Sequence, residues 1–214
     1  PHQALGARSV SRRFGYRGSP GLHSPMVARS GPLSKHREAL SHMATEHTGI
    51  QVFQGDPVTL LGDAVEVGDK APSFNIANGL GEMASLADYA GKTLVLSVVP
   101  CLDTGVCDTM GRRFNEIAAG LGDEVAVVVV SMDLPPAQER WCGAADADKV
   151  TLLSDYRDHS FGLAYGVRLK EFGLLARSVW IIDGTGVVRY KEIVPEFTDQ
   201  PDFGAAISAI SELT

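Results

Sequence analysis

The chain has 214 residues, 44% hydrophobic and 21% charged, enough for one domain with a substantial core and a tail. No run of about 18 apolar residues occurs, so nothing in the sequence reads as a membrane-spanning helix. The formal charge of −7 is uneven: residues 1–42 carry seven basic side chains against one acid, whereas the remainder holds 12 basic and 25 acidic residues, a net of −13. An acidic body excludes binding to nucleic acid through phosphate contacts and suits a small neutral substrate and a protein partner.

Residues 1–42 are rich in Ser, Gly, Pro and Arg and poor in large apolar side chains, the composition of a disordered basic leader. A transit peptide, a vector leader ending at Ser41-His42-Met43, and read-through upstream of a start at Met43 all fit it, and the first would imply an organellar location. Residues 1–42 lack the continuous apolar core of a secretory signal. The pattern changes at Met43, and residues 43–214 read as the folded domain.

In chain order, Gln51–Phe53 and Val58–Leu61, separated by Gly55-Asp56-Pro57, predict a short hairpin. Val67–Phe74 leads into a further extended segment, and Ser85 caps a short helical turn over Leu86–Tyr89. Strand and helix then alternate. Thr93–Val99 reads as a strand, Cys107–Leu121 as a helix, and Val125–Ser131 as a Val-rich strand suited to a sheet covered on both faces. Pro135–Ala145 reads as a helix with proline at its first positions, Val150–Leu153 as a strand, and His159–Tyr165 as a short helix. Ser178–Ile182 and Val187–Ile193 flank the turn signal Asp183-Gly184-Thr185-Gly186, and Asp202–Leu213 closes the chain as an amphipathic helix. A β-α-β half followed by a β-β-α half is the order of the thioredoxin-like α/β fold, here with an N-terminal β-hairpin extension.

The chemistry concentrates between the first central strand and the helix after it, where Pro100, Thr104 and Cys107 stand in a Pro-x-x-x-Thr-x-x-Cys pattern. A cysteine in the first helical turn meets unpaired N–H groups and the positive end of the helix dipole, which favour a thiolate. Thr104 can offer its hydroxyl to that sulfur, and Pro100 can stiffen the loop and limit access by water. Only three cysteines occur, Cys101, Cys107 and Cys142, too few for a stabilising disulfide framework.

This pattern resembles the active-site loop of the peroxiredoxins. Val98-Val99-Pro100, Leu102-Asp103-Thr104, Val106-Cys107-Asp108-Thr109 and Arg112-Arg113-Phe114-Asn115 are similar to the thiol peroxidase subfamily, of atypical two-cysteine type. The resemblance extends through Trp141-Cys142, Leu153–Gly162 and Asp202-Phe203, and covers about residues 48–213. It implies a thiol-dependent peroxidase that reduces hydrogen peroxide and organic hydroperoxides. Cys107 would be the peroxidatic cysteine, oxidised to a sulfenic acid. Arg177, within Leu174–Val179, would be the cation that stabilises the thiolate and the charge on the departing oxygen. Arg112 and Arg113 are weaker candidates for that role. Cys142 would be the resolving cysteine, 35 residues on, forming an intramolecular Cys107–Cys142 disulfide that thioredoxin or a similar dithiol reduces. Both cysteines would lie in helices, so the bond requires local unwinding. The resemblance further implies a cytoplasmic homodimer without metal, haem or flavin. Cys101 departs from the family, which usually has Ser there; its expected role is an inert thiol, with local resolution or side oxidation as the alternatives.

Other readings fit less well. The cysteines and His159 lack the short spacing of a zinc site, Gly184-Thr185-Gly186 sits in a hairpin rather than between strand and helix, and no Gly-x-Ser-x-Gly elbow accompanies Ser154. A Cys-x-x-Cys redox motif is absent. The main alternative is a peroxide-sensing switch that acts through a partner, using the same cysteines.

Overall fold

The computed structural model describes residues 44–214, so the leader expected over 1–42 lies outside the described residues. The first strands, β1 (Glu46–Phe53) and β2 (Asp56–Leu61), form the expected hairpin. Its turn falls on Gln54 and Gly55, at φ 54° and 87°, one position ahead of the Gly-Asp-Pro signal. Two consecutive left-handed residues match the twist of the flanking strands, so Asp56 and Pro57 become the first paired positions of β2. A two-residue strand, β8 (Arg168–Leu169), pairs antiparallel with the far side of β2 and ties the hairpin to the body.

The main sheet has seven strands in the order β10-β9-β5-β6-β7-β3-β4. At its centre β5 (Thr93–Val98), β6 (Val125–Ser131) and β7 (Thr151–Ser154) run parallel. Antiparallel β9 (Ser178–Ile182) and β10 (Val188–Ile193) extend one edge, and short β3 (Asn75–Ala77) and β4 (Met83–Ser85) the other. Every residue of β5 is buried, which explains a strand without polar alternation. Period two still divides its side chains. Leu94, Leu96 and Val98 join Val128, Val130 and Trp180 in a core on one face, while Val95 and Val99 join Val127 and Val129 in a core on the other.

The second core receives α1 (Gly105–Ala119) through Met110 and Phe114, α2 (Pro135–Ala145) through Trp141, and α4 (Phe203–Ser211) through Ala206 and Ile210. A short α3 (Ser160–Ala164) packs Phe161 into the first core. The chain thus runs β5-α1-β6-α2-β7 and then β9-β10-α4, the expected thioredoxin-like order with its hairpin extension. Because β5 and β6 are adjacent and parallel, the loops leaving their C-terminal ends, before α1 and α2, lie side by side.

Candidate active site

Helix α1 begins two residues earlier than periodicity suggests, because Thr104 is its N-cap. The Thr104 hydroxyl oxygen accepts the Cys107 N–H at 3.4 Å, satisfying one orphan donor of the first turn. The same hydroxyl donates to the Cys101 carbonyl at 3.3 Å, and the Thr104 N–H reaches that carbonyl at 3.2 Å. Thr104 therefore sets the backbone of the turn that carries Cys107, rather than directing its proton at the sulfur. Pro100 is buried where β5 ends, at the root of this loop.

Cys107 has no exposed surface and sits among Met110, Phe114 and Val179 in the second core. Its sulfur meets Arg177, which the residue before β9 brings in from the other half of the domain. The guanidinium is 1% exposed and places Nη2 3.4 Å from Cys107 Sγ. Nη1 lies 3.6 Å from Met110 Sδ, and Nε donates to the Phe197 carbonyl at 3.2 Å. Among the described residues no carboxylate forms an ion pair with Arg177. A buried cation demands a compensating partner, and the Cys107 sulfur is in direct contact with it. Arg112 and Arg113 are committed elsewhere: Arg112 pairs with Asp108 at 3.0 Å and reaches the Ala145 carbonyl, and Arg113 pairs with Glu116 at 2.8 Å.

Cys142 lies in the last turns of α2 and is not bonded to Cys107; all three cysteines are free thiols. Its Sγ donates to the Ala147 carbonyl at 2.6 Å, and burial, with Asp148 adding to it, pushes the thiol up. The two cysteine-bearing helices are tied directly to each other. The Trp141 ring lies directly on Gly111, and its Nε1 donates to Asp108 at 2.8 Å. Arg112 joins the same carboxylate, and Arg140 pairs with Asp103 at 2.8 Å. Cys142 also lines a cavity of 370 Å³ with Leu80, Pro135, Glu139 and Leu152.

Two residues of this region are not legible as functional from the sequence pattern. Asp133, just past β6, accepts the Leu102 N–H at 2.8 Å and the Cys101 thiol at 3.1 Å, so it grips the loop that leads to Cys107. Gly111 is the flat place on α1 that admits the Trp141 ring. The available signal is topological: an acid at the C-terminal end of a parallel strand faces the loop leaving its neighbour.

A thioredoxin-like sheet with a buried cysteine in a first helical turn, facing a buried arginine, defines the redoxin class of thiol proteins, and residues 66–207 match the Redoxin family. The thiol peroxidase of Bacillus subtilis is 54% identical over 161 residues, 75% of this chain and 96% of its own length. That of Streptococcus pneumoniae is 50% identical over 161 residues, 75% of this chain and 98% of its own. Among solved structures, a peroxiredoxin-like protein from Aquifex aeolicus superposes with a TM-score of 0.73 at 40% identity, covering 78% of this chain and 99% of that one. The chain belongs to the thiol peroxidase subfamily of the peroxiredoxins, and its activity is thiol-dependent peroxide reduction.

Proposed function

We propose that Cys107 is the sulfur attacked by peroxide, that Arg177 is its cation, and that Cys142 resolves the product. The Cys107 thiolate attacks the terminal oxygen of a hydroperoxide and the O–O bond breaks. The other oxygen leaves with a proton as water or alcohol, and Cys107 becomes a sulfenic acid. Arg177 donates to the sulfur and to the oxygen on which charge develops, with a planar fork that lysine lacks. Thr104 holds the first turn in place, and Pro100 fixes the loop at its root. The Cys142 thiolate then attacks the Cys107 sulfur, water departs, and an intramolecular disulfide forms. A dithiol of thioredoxin type exchanges with that disulfide and restores both thiols.

The observation that carries this reading is the 3.4 Å approach of a buried, otherwise uncompensated guanidinium to the Cys107 sulfur. The separate bonding of the two sulfurs fits a cycle that opens α1 and α2 at each turnover. Hydrogen peroxide and organic hydroperoxides are the substrates in this reading, and residues 43–214 are the catalytic unit, acting as a homodimer. The bacterial thiol peroxidase relatives, and a cycle reset by a dithiol, support a cytoplasmic location.

The test is to treat reduced protein with one equivalent of an organic hydroperoxide and map cysteine states by non-reducing peptide mass spectrometry. A dominant Cys107–Cys142 bridge that thioredoxin reverses is the expected result. Cys107→Ser should abolish turnover, and Cys142→Ser should consume one equivalent of peroxide and then stall with thioredoxin. Steady turnover by Cys142→Ser would remove Cys142 from the cycle, and absence of oxidation at Cys107 would overturn the whole assignment.

A further inference from the structure

Cys101 stands six residues before Cys107, in the loop that positions it, and has a defined set of partners. Its Sγ lies 3.1 Å from Asp133 Oδ1, while Oδ2 of the same carboxylate accepts the Leu102 N–H at 2.8 Å. Asp133 is itself anchored: its N–H reaches the Ser131 hydroxyl at 3.3 Å, and its carbonyl accepts the Ser154 hydroxyl from β7. On the other side, the Cys101 carbonyl accepts both the N–H and the hydroxyl of Thr104, whose oxygen in turn accepts the Cys107 N–H. The bonds form a continuous path from the end of β6 through Cys101 and Thr104 to the backbone of Cys107.

We propose that Cys101 is a positioning residue, whose thiol acts as a hydrogen-bond donor that clamps the Pro100–Thr104 loop to Asp133 and so fixes the Cys107 turn against Arg177. A carboxylate can only accept, so the sulfur must carry its proton for the contact to be attractive. Burial pushes this thiol up to about 11, and the hydrogen bond to Asp133 adds to it, which agrees with a protonated donor at neutral pH. The same proton would keep Cys101 chemically quiet beside the proposed peroxide site, because a thiol is far less nucleophilic than a thiolate. The role is open to a serine hydroxyl as well, since the contact needs only a short side chain with one proton to give.

This inference rests on the reading of Cys107 as the attacked sulfur, and its test separates the two. The rate of Cys107 sulfenic acid formation with an organic hydroperoxide is measured by stopped flow in the full chain, in Cys101→Ala and in Cys101→Ser, with cysteine states mapped afterwards. Cys101→Ala should slow oxidation about tenfold, less than the loss expected for removing a direct charge-stabilising donor. Cys101→Ser should recover most of that loss, although both substitutions delete the sulfur. Thermal melts establish that both variants are folded. A wild-type rate in Cys101→Ala would reduce Cys101 to a space-filling residue and overturn the proposal. Equal slowing in Cys101→Ser, or a predominant Cys101–Cys107 disulfide in the wild type, would also overturn it. Failure of Cys107 to oxidise in the wild type would instead strike the peroxidase cycle.

Discussion

Replacing Gly111 by Ala sets two magnitudes of opposite sign against each other. In the interior of an ordinary helix this change stabilises by about 1 kcal/mol, because glycine is a poor helix former. Here a Cβ would lie 2.8 Å from Cη2 and 2.9 Å from Cζ2 of Trp141, inside van der Waals contact. The ring has little room to yield, being only 6% exposed and tethered to Asp108 through Nε1 at 2.8 Å. Overpacking of this kind costs about 1–3 kcal/mol, and a ring that swings clear forfeits a bond to a charged acceptor worth about 1.5–3 kcal/mol. After the helix gain is subtracted, the reduced protein should lose about 1.5–5 kcal/mol. At roughly 2–4 °C per kcal/mol for a domain of this size, the melting temperature should fall by at least about 3 °C. Differential scanning calorimetry with excess reductant reads this directly. The same scan on the disulfide form should show a smaller loss, since forming that bond already undocks α2 from α1 in the proposed cycle. A reduced variant that melts at or above the wild-type temperature would refute the argument, because the helix term alone would then be operating.

Other perturbations follow from single contacts. Arg177→Lys puts one nitrogen where three now reach Cys107, Met110 and Phe197, and should slow Cys107 oxidation about 100-fold in stopped flow with the circular dichroism spectrum unchanged. Asp155 is pushed up from 3.8 to about 6, first by burial and against the Gly162 and Phe161 N–H bonds that favour its charge. An acid raised in the folded state stabilises below its unfolded value and loses that contribution as pH rises. The stability of the wild type relative to Asp155→Asn should therefore fall by about 2 kcal/mol between pH 4 and 7, as read by urea unfolding. Asp183 has the opposite sign. Burial pushes it up, but the Thr185 hydroxyl, the Val187 N–H, Arg189 and the Thr185 N–H outweigh that and hold it well below the usual carboxylate range. The stability that Asp183 contributes is present above pH 3.8 and lost as pH falls, so Asp183→Asn should lower the urea midpoint at pH 7 and match the wild type in strong acid.

The sequence was most legible where local chemistry is also tertiary chemistry. The run Val125–Ser131 has the same bounds as read and as folded, because a stretch with five valines in seven residues has weak helical propensity and no polar face to lose. Pro135 and Pro136 mark the start of α2 because their missing N–H groups fall where the helix has no partner for them. Misreadings arise where a contact outside the periodic pattern decides. Gly105 and Val106 look like loop until Thr104 is seen to cap them. Strand β8 has two residues and no periodicity, and exists through its pairing with Leu60 and Leu61 far back in the chain. At the site, the Pro-Thr-Cys pattern was visible and the place of Arg177 came with the family resemblance. Asp133 and Gly111 escaped because their partners lie 31 and 30 positions away, a separation no local pattern encodes.

Cys107 and Arg177 are separated by 70 positions, with β6, α2, β7, α3 and β8 in between. During synthesis the first of them leaves the ribosome well before the second exists, and for that interval the chain carries a cysteine with no cation beside it. The Cys107–Arg177 pair of the proposed cycle needs β9 paired antiparallel with β5, a contact between segments about 80 positions apart. In the proposed cycle, peroxide chemistry would thus be withheld from nascent and truncated chains: a fragment ending before Arg177 carries both cysteines of that cycle without the arginine that meets the first of them.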